Sequence, residues 1–382
     1  MIVGRIFCAE MGIENNERGP DVAYTCVFLV AGAAIAYWID FGFTRMDNQI
    51  SWRIPIGLQI LFAVCAGGLT LLLPDTPRWY YARGRIAEGD ETLGRLIDAP
   101  LDDHRVQNMK HAILASIALE EEDKDRGFKI LDLFWDRSDL RVGRRIRISF
   151  LILAIQQMMG KIGWHQIRHQ LKFTVIFSQV GLSPFMAQLL AALMNTLFAA
   201  GTIPLVFTIE RFGRRNIMMY SAVALTICMV IFVTMIGLPH RTNATQWTAV
   251  AAIFVYNTIF GYGWIGVCWL YGPEIAPLKL RHAGAAAGAF GEWLFSFITV
   301  FAGGIALQNV GWKIWIWMAL SCFLAIFFVY FACPETSGKT LEEIDIIFAK
   351  DEVKHSLLAQ TVISESRHNE KDNESPVCVE EA

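Results

Sequence analysis

The chain is punctuated by apolar stretches of about 20 residues nearly free of charge, the length a helix needs to cross the hydrocarbon core of a bilayer. Within lipid no water bonds the backbone N–H and C=O groups, so each such stretch must satisfy them internally as an α-helix. Seven stretches qualify, at residues 23–43, 55–73, 184–207, 217–238, 247–270, 283–307 and 312–333. An eighth begins at Ile148 and breaks after Gly160, where Lys161, His165, Arg168, His169 and Lys172 follow in quick succession. At about 2.5–3.5 kcal/mol for each centrally placed Lys or Arg, that run removes most of a helix's insertion energy, so a short, tilted or water-lined span is expected. The expected fold is all-α and polytopic.

Composition agrees. With 54% hydrophobic and 18% charged residues the chain does not suit water as its solvent. The formal net charge is −3, with Lys and Arg gathered at the ends of apolar runs, which gives no reason to expect a nucleic-acid partner. Cys26, Cys65, Cys228, Cys268, Cys322 and Cys333 lie in or at the ends of apolar runs without metal-ligand spacing and read as packing residues. The first residues lack the basic start, long apolar centre and small-residue site of a secretory signal, so removal of a leader is not expected.

Residues 74–147 form a polar connection with amphipathic patterns around 91–97 and 106–119 and an apolar patch at Ile130, Leu131, Leu133, Phe134 and Trp135, which predicts short helices on the membrane face. Residues 148–333 hold the later spans. From Pro334 to residue 382 the chain is mixed-charge and poor in apolar residues, and is expected to be a mostly disordered tail. Arg78, Arg83 and Arg85, then Arg141, Arg144, Arg145 and Arg147, then Arg211, Arg214 and Arg215, then Lys279 and Arg281 mark alternate connections, which the positive-inside tendency places in the cytoplasm. With eight spans both ends are then cytoplasmic. The loop with Asn243, Ala244 and Thr245 is a glycosylation sequon on the outer side, either used or left as an unmodified loop asparagine.

Two segments repeat a theme at equivalent places. Pro74-Asp75-Thr76-Pro77-Arg78-Trp79 follows one span, and Pro334-Glu335-Thr336-Ser337-Gly338-Lys339-Thr340-Leu341-Glu342-Glu343-Ile344-Asp345 follows the last, the mark of an internal two-fold repeat. They resemble the PESPRW and PETKGKTLEEID signatures of the sugar porters of the major facilitator superfamily. Glu210-Arg211-Phe212-Gly213-Arg214-Arg215 resembles the D/E-R-x-G-R-R motif of that family. The resemblance runs from about Arg18 to Ile347, and Tyr37 to Gly42 with Trp52 and Arg53 are similar to fungal members. It makes residues 1–73 a remnant of an N-terminal bundle and the first clear span the family's fifth helix. Nothing corresponds to the family's first three helices, and the seventh departs after Gly160, returning at Thr174-Val175-Ile176-Phe177. Breaks so abrupt fit a misplaced start and splice junction, or else a shortened chain whose helix faces want partners.

The resemblance implies transport of a monosaccharide or related polyol by alternating access, in the plasma membrane. Glu210, Arg211, Arg214, Glu274 and Arg281, with Arg78 and Glu335, would form a cytoplasmic gate of ion pairs; the plainer reading is positive-inside anchoring. Sugar recognition needs amides or hydroxyls beside an aromatic face. Gln156, Gln157, Asn195, Trp269 and Trp293 match positions that line the family's sugar site, and Glu292 and Ser296 share a helix face at i, i+4. Without the resemblance, a buried Asn or Gln is as well read as a helix-to-helix hydrogen bond. Glu292 stands where the family commonly has asparagine; it either carries a coupled proton or is a neutral or paired glutamate near the interface. The spans offer no metal cluster, phosphate loop or Ser/His/Asp set, so neither an enzyme nor a cofactor is expected. The competing readings are a sugar sensor that does not transport and a non-functional fragment of a transporter.

Overall fold

The computed structural model describes residues 18–46, 48–122, 141–160, 183–240, 242–276, 280–339 and 341–349. The expected run from Lys161 to Phe177, the patch 130–135 and the chain beyond 349 lie outside these. The described part is helical, and seven helical segments are long and apolar enough to span a bilayer, at the places the apolar runs mark.

The helices are α1 (Arg18–Phe43), α2 (Ile50–Leu72), α3 (Pro77–Ala82), α4 (Ile86–Ile97), α5 (His104–Glu122), α6 (Val142–Met158), α7 (Pro184–Phe212), α8 (Arg214–Gly237), α9 (Asn243–Phe260), a π turn (Gly261–Ile265), α10 (Val267–Ile275), α11 (Arg281–Val310), α12 (Ile314–Ala332) and α13 (Leu341–Phe348). α1 packs along α7, α6 along α11, and α8 between α9 and α12. One continuous apolar core runs through these helices, from Ala23 and Val30 on α1 to Val329 on α12. α2 packs on α1 and leaves its apolar residues exposed.

Helices that gain little from the hydrophobic effect inside lipid associate where small residues let backbones meet. α11 meets α6 along Gly284, Gly288 and Gly291. A Cβ at Gly288 would stand 2.9 Å from Leu153, and one at Gly291 2.5 Å from the Phe150 carbonyl. Ser149 Oγ donates to the Gly284 carbonyl at 2.7 Å, its hydroxyl filling the groove the glycines leave. Outside the spans, α3, α4 and α5 form a small unit around Tyr81, Leu93 and Val106. Asp90 ties it together, accepting from the Tyr81 hydroxyl and from Lys110 Nζ, both at 2.7 Å.

Several expectations need correction. The second span starts at Ile50, and Pro55 lies inside it, since the turn before Pro55 is also apolar enough to continue the helix. The fifth continues past Leu270 to Ile275 through the π turn. The sequon is no loop: Asn243 opens α9, and the Thr242 and Thr245 hydroxyls cap each other's backbone N–H at 3.3 and 3.0 Å. The segment after Pro334 is ordered through residue 339 and again in α13, whose Ile344 and Phe348 join the core. Counting charges hides their i, i+4 spacing. Cys65 is exposed on α2, whereas the other five cysteines expected to pack are buried.

Candidate functional site

Two polar groupings stand out from the apolar bundle. The first sits where α7 hands over to α8. Gly213 makes that corner at φ +80°, a backbone that side chains rarely adopt, and a Cβ there would lie 2.5–2.9 Å from the Glu335 carboxylate. Glycine is thus required both by the backbone and by the close approach of Glu335. Arg214, the first residue of α8, donates through its guanidinium to both Glu210 oxygens at 2.6 Å and to Glu274 Oε1 at 3.0 Å. Such a fork fits a planar guanidinium and no ammonium. Glu335 accepts from the backbone N–H of Arg214 at 2.8 Å and of Arg215 at 3.1 Å, so a carboxylate meets the positive end of the α8 dipole.

Hydroxyls complete the grouping. Thr336 Oγ1 donates to Glu274 Oε2 at 2.8 Å, Ser337 Oγ to the Glu210 carbonyl at 2.9 Å, and the Tyr271 hydroxyl to the Pro334 carbonyl at 2.7 Å. Nearby, the fully buried Arg145 at the start of α6 donates to the Ile275 carbonyl at 3.3 Å and faces the Phe348 ring at 4.7 Å, fastening α13 under α10.

Of the expected gate residues, Glu210, Arg214, Glu274 and Glu335 therefore come together. Arg211 does not join them: it is exposed beside the Phe212 ring. Arg78 sits half-buried on α3, which packs with α4 and α5. The Arg281 side chain lies outside the described residues. Arg145, Tyr271, Thr336 and Ser337 are missed by the sequence reading. Thr336 and Ser337 adjoin Glu335 in the quoted motif, but a hydroxyl in a motif does not say which carboxylate it will meet. Arg145 reads only as one of four arginines marking orientation.

The second grouping is a set of buried polar residues spread over α6, α7 and α11. Gln156 and Gln157, near the end of α6, are both buried, and Gln156 Nε2 donates to the Trp264 carbonyl on the π turn at 3.2 Å. Asn195 on α7 is buried, donates to the Ala191 carbonyl at 2.9 Å and shares a hydrogen bond with the Tyr37 hydroxyl of α1. One residue on, Trp38 Nε1 donates to Thr196 Oγ1 at 2.9 Å, a second polar tie between α1 and α7. Glu292 on α11 is only 4% exposed, and Ser296 and Trp269 are half-buried. Trp293 is 48% exposed and does not share the enclosure of Glu292, because adjacent residues of a helix point about 100° apart. Tyr37 and Trp264 are the residues of this region that sequence reasoning overlooks as polar partners.

Amides enclosed by apolar helices both donate and accept, which suits a neutral ligand with many hydroxyls. Among the described residues no three His, Cys, Asp or Glu side chains gather as a metal site. Fold and site together define a polytopic helical membrane protein with polar groups buried within its helices and a charge cluster where α7, α8 and α10 end or begin. The chain belongs to the sugar (and other) transporter family, whose model matches residues 5–348. It is 32% identical over 86% of its length to the MFS-type transporter oryC of Aspergillus oryzae, covering 60% of that protein. To the sugar transporter STL1 of Saccharomyces cerevisiae it is 29% identical over 89% of its length, covering 57%. The chain thus spans about 60% of the length of these relatives. The structure of the proton:xylose symporter XylE bound to 6-bromo-6-deoxy-D-glucose superposes with a TM-score of 0.73 at 20% identity, covering 91% of this chain and 70% of that one, and so shares the fold.

Proposed function

We propose that this protein carries a monosaccharide across the plasma membrane by alternating access, with the sugar held at mid-membrane and the charge cluster serving as a cytoplasmic gate. The observation that carries the reading is the enclosure of Gln156 and Gln157 on α6, Asn195 on α7 and Glu292 on α11, of which α7 and α11 are of membrane-spanning length. Buried polar groups in lipid-facing bundles are costly, and their retention marks a pathway. The half-buried Trp269 and Ser296 would complete the sugar's surroundings, Trp269 covering the apolar side of the ring. Trp293 would contribute only if the bundle rearranges around α11.

The gate reading rests on Arg214, which holds Glu210 of α7 and Glu274 of α10 while Glu335 grips the start of α8. These contacts tie three helix ends into one unit that either moves together or breaks. Glu292 is proposed as the site of proton coupling.

Equilibrium binding of labelled D-glucose and D-xylose to the purified chain in nanodiscs tests the sugar site. Loss of a buried hydrogen bond to ligand, about 1–3 kcal/mol, predicts at least fivefold weaker binding for Gln157→Ala and Asn195→Ala. Binding unchanged in both variants would refute the site. Glu292→Gln is expected to keep sugar binding and lose proton-driven accumulation; accumulation retained in that variant ends the coupling proposal.

A further inference from the structure

We infer that Trp264 is a sugar-binding residue: its indole N–H and the Gln156 side-chain oxygen together hold one hydroxyl of the transported sugar. This rests on the sugar-transport reading above and assigns a specific donor and acceptor within it.

The inference comes from two polar atoms on one hydrogen-bonded pair of residues. The Gln156 amide nitrogen donates to the Trp264 backbone carbonyl, so the two residues are in direct contact. Both side chains are fully buried. Gln156 Oε1, an acceptor, and Trp264 Nε1, a donor, each lack a hydrogen-bond partner among the described residues. A buried Trp usually finds a partner for its N–H, and a buried amide oxygen left without one costs free energy, more so where no water surrounds the protein. A hydroxyl both donates and accepts, so one hydroxyl satisfies both atoms at once.

The backbone around Trp264 is fixed for such a task. It lies in the π turn Gly261–Ile265, and turns of this kind are rare and frequent at functional sites. The glycines of the turn press its backbone against its neighbours: a Cβ at Gly261 would stand 2.6 Å from the Phe198 carbonyl of α7, and one at Gly263 would strike Ser221 of α8. Just beyond, a Cβ at Gly266 would stand 2.6 Å from Leu205. The turn's backbone on either side of Trp264 is thus held by α7 and α8, and the Trp264 carbonyl by Gln156. Five residues further along the same helical segment comes Trp269, the aromatic face proposed to cover the ring. Both atoms are sealed from the surface, so a ligand reaches them only as the bundle opens, as alternating access requires.

The test is equilibrium binding of D-glucose and its series of monodeoxy analogues to wild type, Trp264→Phe and Gln156→Met in nanodiscs. Trp264→Phe removes the N–H and keeps an aromatic ring; about tenfold weaker binding of D-glucose is expected, with no further penalty for the single analogue that lacks the shared hydroxyl. Gln156→Met removes the acceptor and should be indifferent to that same analogue, which keeps the test decisive should Trp264→Phe fail to fold. If wild type binds sugar while the variants bind every analogue with the wild-type pattern, or if the two variants single out different hydroxyls, the pair holds a water or nothing and the inference is wrong. If wild type binds no member of the series, the sugar reading itself falls and takes this inference with it.

Discussion

Arg214 is enclosed to 5% exposure and serves two carboxylates that keep 30% and 19% of theirs. Removing one partner of a buried pair costs about 3–5 kcal/mol, and the residual exposure of Glu210 and Glu274 puts Arg214→Ala near the lower end, about 3 kcal/mol. Arg214→Lys is expected to recover little of that, since an ammonium cannot fork to two carboxylates. Thermal unfolding in detergent, followed with both variants, checks the order wild type, Lys, Ala. Gly213→Ala is expected to lose about 1–3 kcal/mol from backbone strain alone, and to push Glu335 off the α8 N-terminus. Gly338, also at positive φ (+68°) but with nothing within 4 Å of its Cβ position, gives a comparison: Gly338→Ala meets no collision and should unfold at a higher temperature than Gly213→Ala, whose backbone at φ 80°, ψ 156° is in addition nearly confined to glycine. Equal melting temperatures would mean that neither the collision with Glu335 nor the backbone of Gly213 adds to the cost.

At the scale of elements, the α3–α5 unit depends on Asp90. Burial works to raise its pKa, yet the hydrogen bonds from Lys110 and Tyr81 outweigh it and hold the carboxyl below its ordinary range. A depressed carboxyl stabilises the fold above its unfolded pKa, about 3.9, and that contribution is lost as pH falls through the folded value. Protection of the Leu93 amide from hydrogen exchange, corrected for intrinsic rates, should hold from pH 5 to 8 and fall below pH 4. Lys110→Met should move the fall to higher pH; an unmoved profile would exclude the ion pair as its cause. The amphipathic patterns at 91–97 and 106–119 foretell α4 and α5 because one face of each must be buried. The tie between them escapes a sequence reading, since Asp90 and Lys110 lie 20 positions apart. The π turn is equally hidden: Gly261-Tyr262-Gly263-Trp264-Ile265 has the apolar character of an ordinary span, and its glycines lie hard against α7 and α8. α13 goes unread because the mixed charge of the whole stretch from Pro334 to residue 382 masks the short apolar-rich run Leu341–Phe348, whose Ile344 and Phe348 join the core and whose Phe348 meets Arg145.

For the whole molecule, the bilayer makes the spans legible, because lipid demands a fixed length of apolar helix whatever the details of packing. Site residues are only half legible. Gln156, Gln157, Asn195 and Glu292 betray themselves as polar residues in apolar runs, whereas Trp264, apolar by type, becomes a candidate only once its N–H is seen enclosed. The most direct test of transport is counterflow: proteoliposomes containing the purified chain and preloaded with unlabelled D-glucose are diluted into labelled D-glucose. Alternating access through this site predicts a transient overshoot of labelled sugar in wild-type vesicles, reduced at least tenfold in Gln156→Ala vesicles. Sugar bound by the wild-type chain without any overshoot would contradict transport and leave the chain a binding protein.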